Sequence, residues 1–113
     1  MPLDDTNWPT IEVDETTALL IRARGFIERG WCRHADAKDR FGWSIEPTSD
    51  RAVEWCAYGA LRAAGWSNGD RDHPALHRLQ AAINSRGIAA FNNRQETVEP
   101  ILAAFDRAIT AGG

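Results

Sequence analysis

The side chains in this sequence best suited to chemistry are two cysteines and three histidines: Cys32, Cys56, His34, His73 and His77. Thiolate and imidazole are the usual zinc ligands, and a structural zinc site takes four of them. Cys32 and His34 are two residues apart, there is no C-x-x-C pair, and His73 and His77 stand at i, i+4. A metal site would therefore require Cys32, His34 and Cys56 to be gathered from separate segments. A thiol nucleophile is the other chemistry available. Cys32 follows the C-terminal end of an expected helix, whose partial negative charge raises a thiol pKa and works against activation. Asp36 and Asp39 alternate with Lys38 and Arg40, and on a helical turn Asp36 and Arg40 would form an ordinary i, i+4 ion pair. No complete catalytic set emerges, and no cofactor is expected.

Tryptophan usage is the second unusual feature, with Trp8, Trp31, Trp43, Trp55 and Trp66 in 113 residues. Trp31 and Trp43 flank a long connection, and Trp66 follows a glycine stop. Tryptophan and arginine are enriched where proteins bind one another. Trp31, Trp43 and Trp66 are therefore the candidate partner-binding residues, set against the plainer reading of a second small core beneath the connection.

The elements that must position these residues are helical. Asp14 can cap a first helix whose apolar face is Leu19, Leu20, Ala23, Phe26 and Ile27, with Gly30 as its stop. Residues 31–47 show no sustained period, apart from a candidate helical turn over Ala35–Asp39. A connection this long is uncommon in a compact domain unless ordered by its own contacts or functional. The second helix is expected from capping candidates at 47–50 through Val53, Cys56, Ala57, Ala60, Leu61 and Ala64 to Gly65. It carries Gly59 in its interior, which costs about 1 kcal/mol against alanine and calls for a close approach by residues 31–47 or by helix one. The third starts near Asp72 or His73 with Pro74 in its first turn and ends before Gly87. Residues 88–96 read as an irregular connection with Ile88 and Phe91 plugging the core, and a fourth helix begins at Thr97. The expected fold is all-α: a compact bundle of about four short helices spanning 14–110, preceded by an extended acidic leader over 1–13.

Charge adds little. The net charge of −3 divides into −5 over residues 1–16 and +2 over the rest, without the basic patch expected of a nucleic-acid binder. Twelve of the thirteen basic residues are arginine, a bias read here as base composition rather than as a binding surface. There is no apolar run long enough for a membrane span and no secretory signal, so a cytoplasmic protein with reduced thiols is expected.

Gly30-Trp31-Cys32, then Cys56-Ala57-Tyr58-Gly59-Ala60-Leu61-Arg62-Ala63-Ala64, resembles a family of small bacterial and phage proteins of unknown function. The resemblance spans about residues 17–110. Its members carry a GWC turn, a C-x-x-GAL-x-A-A helix and a late W-N-D before a threonine-capped helix. In this chain the last element is Phe91-Asn92-Asn93 and Thr97, with two of its three residues changed. The resemblance implies shared shape rather than an activity, and it implies that Cys32 and Cys56 belong together. The reading that follows is a small non-enzymatic binding protein of phage or mobile-element type whose partner is another protein. Homodimerisation is compatible with it. The alternative is a metal- or thiol-dependent site built from Cys32, His34 and Cys56.

Overall fold

The computed structural model describes residues 14–111; the acidic leader and its Trp8 lie outside them. Five helices and a small sheet follow in the order α1 (Glu15–Arg29), β1 (Ala37–Lys38), β2 (Glu54–Trp55), α2 (Ala57–Ala64), α3 (Pro74–Ile83), α4 (Ile88–Arg94) and α5 (Glu99–Thr110). The mostly helical expectation holds, but the helices number five among the described residues and a sheet is present. Helix α1 packs on α2 and α5, and α3 packs on α5. Leu20, Ile27, Leu61, Leu79, Ile101 and Phe105 are fully buried between them.

Local chemistry explains most of the boundaries. The Asp14 carboxylate accepts from the Thr17 N–H at 2.7 Å and opens α1. His73 opens α3 through Nδ1, which accepts from the Ala75 N–H at 3.0 Å, with Pro74 in the first turn. Asn84 ends α3 in the left-handed region at φ 53°, ahead of Gly87, which is the residue before α4. Helix α5 begins at Glu99 rather than Thr97.

The largest departure from expectation lies between residues 30 and 56. β1 and β2 pair antiparallel, with Ala37 opposite Trp55 and Lys38 opposite Glu54. On its other side β2 meets Trp31 in a parallel bridge. The Trp55 N–H donates to Gly30 O (3.0 Å) and the Cys32 N–H to Trp55 O (3.2 Å). Ala35–Asp39 is thus not a helical turn. Asp36 meets Arg62 at 3.6 Å instead of Arg40. The segment before Cys56 is sheet, so α2 starts at Ala57, and Val53, placed on the core stripe by its spacing, is 44% exposed.

Two glycines let the backbones come this close. A Cβ on Gly59 would lie 1.8 Å from the Asp36 carbonyl oxygen, and one on Gly30 would lie 2.1 Å from that of Val53. The close approach expected at Gly59 is therefore made by residues 31–47.

The arginines have structural work that composition did not reveal. A helix leaves its last four carbonyls without partners, and here distant guanidinium groups supply them. Arg22 donates to Ala64 O at the end of α2, Arg107 to Ala82 O near the end of α3, and Arg33 to Gln95 O just past α4. Arg78 donates to Ala108 O and Ile109 O at the end of α5.

Gly59→Ala is expected to lower stability by about 3 kcal/mol or more, because backbone must move to admit the methyl group. Gly25→Ala, with nothing within 4 Å of the added carbon, should raise it by about 0.5–1 kcal/mol. Urea unfolding of the two variants reads both, and equal effects would contradict the close approach.

Candidate functional site

The core holds one buried polar side chain among the described residues, Asn92, at 0% exposure on α4. A buried amide needs two donors for its oxygen and two acceptors for its NH2. Oδ1 accepts from the Trp31 indole N–H (2.8 Å) and the Ala57 N–H (3.0 Å). Nδ2 donates to Cys32 O (3.1 Å) and to Asn93 Oδ1 (3.3 Å). All four positions are filled. The GWC turn, the start of the C-x-x-GAL helix and the late Asn thus meet at one amide.

Asn93 extends the junction by accepting the His34 N–H at 2.8 Å. His34 is held at φ 68°, a conformation uncommon outside glycine. His34, Cys56, Ala89 and Asn93 line an open cleft of about 350 Å³ beside it.

The two cysteines are neighbours. The parallel bridge between Trp31 and Trp55, followed by the Cys32–Trp55 hydrogen bond, sets Cys32 beside Cys56 on adjacent segments, which run about 4.8 Å apart in such a ladder. Both are free and buried. Cys56 is the N-cap of α2: its sulfur accepts from the Gly59 N–H at 3.3 Å, while Asn92 takes the Ala57 N–H. The Cys32 thiol donates weakly to Ala35 O at 3.6 Å. Burial, and then the adjacent Cys56, push the Cys32 thiol up to about 12. The cause is desolvation rather than the helix end invoked from sequence. Burial also raises Cys56, against the opposing Gly59 N–H. Both shifts favour inert thiols. Among the described residues no three His, Cys, Asp or Glu side chains are grouped to hold a metal ion.

The three candidate tryptophans divide. Trp66 is 4% exposed, donates to Asp70 O (2.9 Å) and packs edge-on against Tyr58 at 5.0 Å. Trp31 is half-buried on Asn92. Trp43 is 71% exposed, and so is Phe41, which sequence reasoning passed over.

These two aromatics sit on a built turn. The Ile45 N–H donates to Ala37 O and the Asp39 N–H to Trp43 O, closing a hairpin. Within it the Gly42 N–H donates to Asp39 O (2.9 Å), and Gly42 lies at φ 84°. Aspartate at the first position and glycine at the fourth are the signature of a type I turn, and a three-residue hairpin loop of this kind closes with glycine in the left-handed region. The Asp39 carboxylate also accepts the Phe41 and Trp43 N–H groups at 2.9 and 3.0 Å. Arg40 lies over the Phe41 ring at 4.8 Å. Beside the turn, an open cleft of about 420 Å³ is lined by Asp39, Arg40, Phe41, Asp50, Arg51 and Val53. The signal in the sequence was Asp39-Arg40-Phe41-Gly42.

A mostly helical domain closed around a small sheet, with an amide-centred junction and an aromatic hairpin tip, is the class this structure defines. The chain belongs to the DUF6197 family, a family of unknown function whose model matches residues 12–111. Searches of curated proteins and of solved structures gave no match. Among the described residues no helix is long and apolar enough to cross a membrane.

Two outcomes are expected. Asn92→Ala leaves the Trp31 indole N–H, the Ala57 N–H and the Cys32 carbonyl without their partner, at about 3–5 kcal/mol in a chemical unfolding experiment. A thiol with a pKa of about 12 is ionised to roughly one part in ten thousand at pH 8. Maleimide should therefore label neither cysteine rapidly until denaturant is added, and prompt labelling of the native protein would contradict the buried pair.

Proposed function

We propose that this chain is a small binding protein that engages another protein through the tip of its hairpin, with Trp43 and Phe41 as the anchoring side chains. The observation carrying this reading is their exposure: two large aromatics, each 71% in water, on a turn fastened by its own hydrogen bonds. Covering an aromatic that exposes this fraction of a roughly 200 Å² side chain contributes about 3.5 kcal/mol. A turn already fixed in shape loses little further freedom on binding, so more of that contribution survives as affinity.

The surroundings favour a protein partner. The cleft beside the tip is lined by two aspartates and two arginines, so it presents no net field of the kind that draws nucleic acid or an anionic membrane surface. A hydrophobic centre rimmed by mixed charge is the ordinary anatomy of a protein interface. On this reading Trp31 and Trp66 act from inside, the first by fixing the junction with α4 and the second by holding the loop after α2. Two reduced thiols suit a reducing compartment such as the cytoplasm.

A photo-crosslinking residue at position 43, compared with one at position 103 on the exposed side of α5, tests the reading in the native host. One dominant protein adduct is expected from position 43 and none from 103, with the adduct lost when Phe41→Ala is added. A self-adduct would identify the partner as a second copy. Equal, diffuse labelling from both positions would overturn the proposal.

A further inference from the structure

Eight of the twelve arginines are engaged by carbonyls, carboxylates or aromatic rings: Arg22, Arg24, Arg29, Arg33, Arg40, Arg62, Arg78 and Arg107. Among the described residues the guanidinium groups of Arg51, Arg71, Arg86 and Arg94 have no such partner. Two of these four, Arg71 and Arg86, line the same cleft together with His77.

That cleft is separate from the hairpin tip. It lies between the loop after α2, the outer side of α3 and the turn into α4, with a volume of about 650 Å³. This is within the roughly 300–1,000 Å³ typical of small-molecule sites. Its apolar wall is Tyr58, Trp66, Leu76 and Ile88, and its lining contains no carboxylate. The nearby Asp70 carboxylate accepts the Asp72 N–H within its own loop. Both segments that carry the arginines are tethered. The Tyr58 hydroxyl donates to Asn68 Oδ1, and the Trp66 indole N–H to Asp70 O, fixing the loop before Arg71. The Gln80 amide donates to Arg86 O, fixing the turn that carries Arg86.

From this arrangement we infer that the cleft binds a small phosphate-bearing molecule with an apolar or planar body. Arg71, His77 and Arg86 line the cleft from three different segments. Donors arriving from several directions suit a tetrahedral oxyanion, and arginine is the side chain best matched to phosphate. The body of the ligand lies along Tyr58, Leu76 and Ile88. Two arginines that make no ion pair among the described residues, in a cleft whose lining holds no carboxylate, are the feature a purely structural account leaves without explanation.

Isothermal titration of the full chain with adenosine monophosphate, inorganic phosphate and adenosine tests the assignment. The monophosphate is expected to bind saturably, more tightly than either fragment, and to shift the Trp66 indole resonance. Arg71→Ala with Arg86→Ala should weaken it by at least about tenfold, with the circular dichroism spectrum unchanged because both side chains are surface-exposed. Absence of saturable binding, equal affinity for phosphate or adenosine alone, or unchanged affinity in the double variant would overturn the inference.

Discussion

The junction of the Trp31 turn, the start of α2 and α4 depends on one side-chain amide, that of Asn92. Its oxygen closes the start of α2 and orients Trp31; its NH2 holds the backbone of Cys32. Those partners come from two segments, 31–32 and the start of α2, both far from Asn92 in the chain. An amide in an apolar site is costly unless every lone pair and proton is used, and here all are used. The same cost makes the junction specific. An apolar residue of similar size would leave two N–H groups and a carbonyl without partners. An aspartate would present oxygen to the oxygen of Cys32 and Asn93.

Around this junction the fold is closed by backbone proximity and by arginine. Gly30 and Gly59 allow the sheet to lie directly on neighbouring backbone, so residues 31–56 act as part of the core rather than as a covering loop. Guanidinium groups from other elements then meet the carbonyls at the ends of α2, α3, α4 and α5. A domain of this length buries only about two-thirds of its chain surface. Satisfying helix ends with long side chains stabilises it without requiring a larger core. It also separates arginines that hold the fold together from those free to meet a ligand.

How much of this was legible in the sequence depended on the range of the interaction. Asp14 as a cap, His73-Pro74 as a helix start and the apolar faces of α1 and α3 follow from residues within one or two turns of each other. Gly59 announced a close neighbour by its cost alone. The strands did not show because each is two residues long, too short for alternation, and their pairing joins residues some seventeen positions apart. Val53 fell on the α2 stripe by spacing, although the chain there is extended and α2 begins four residues later. Asn92 stood out only within the Phe91-Asn92-Asn93 element, and its structural role did not show, because one asparagine in a short polar-looking stretch carries no pattern. Its importance lies in partners 35 to 61 residues away. The turn at Asp39–Gly42 left a signal in its Asp-x-x-Gly spacing, but the helical turn expected over Ala35–Asp39 obscured it, and with it the display of Phe41 beside Trp43.

The central claim is that Asn92 locks the Trp31 turn to α2 in the native state, and the indole protons report on it directly. Hydrogen exchange at the Trp31 indole N–H, followed by NMR, should be slowed to the level of the buried helical amides, while the Trp43 indole exchanges at the rate of free tryptophan. Equally fast exchange at both indoles would mean that the amide does not hold the junction closed.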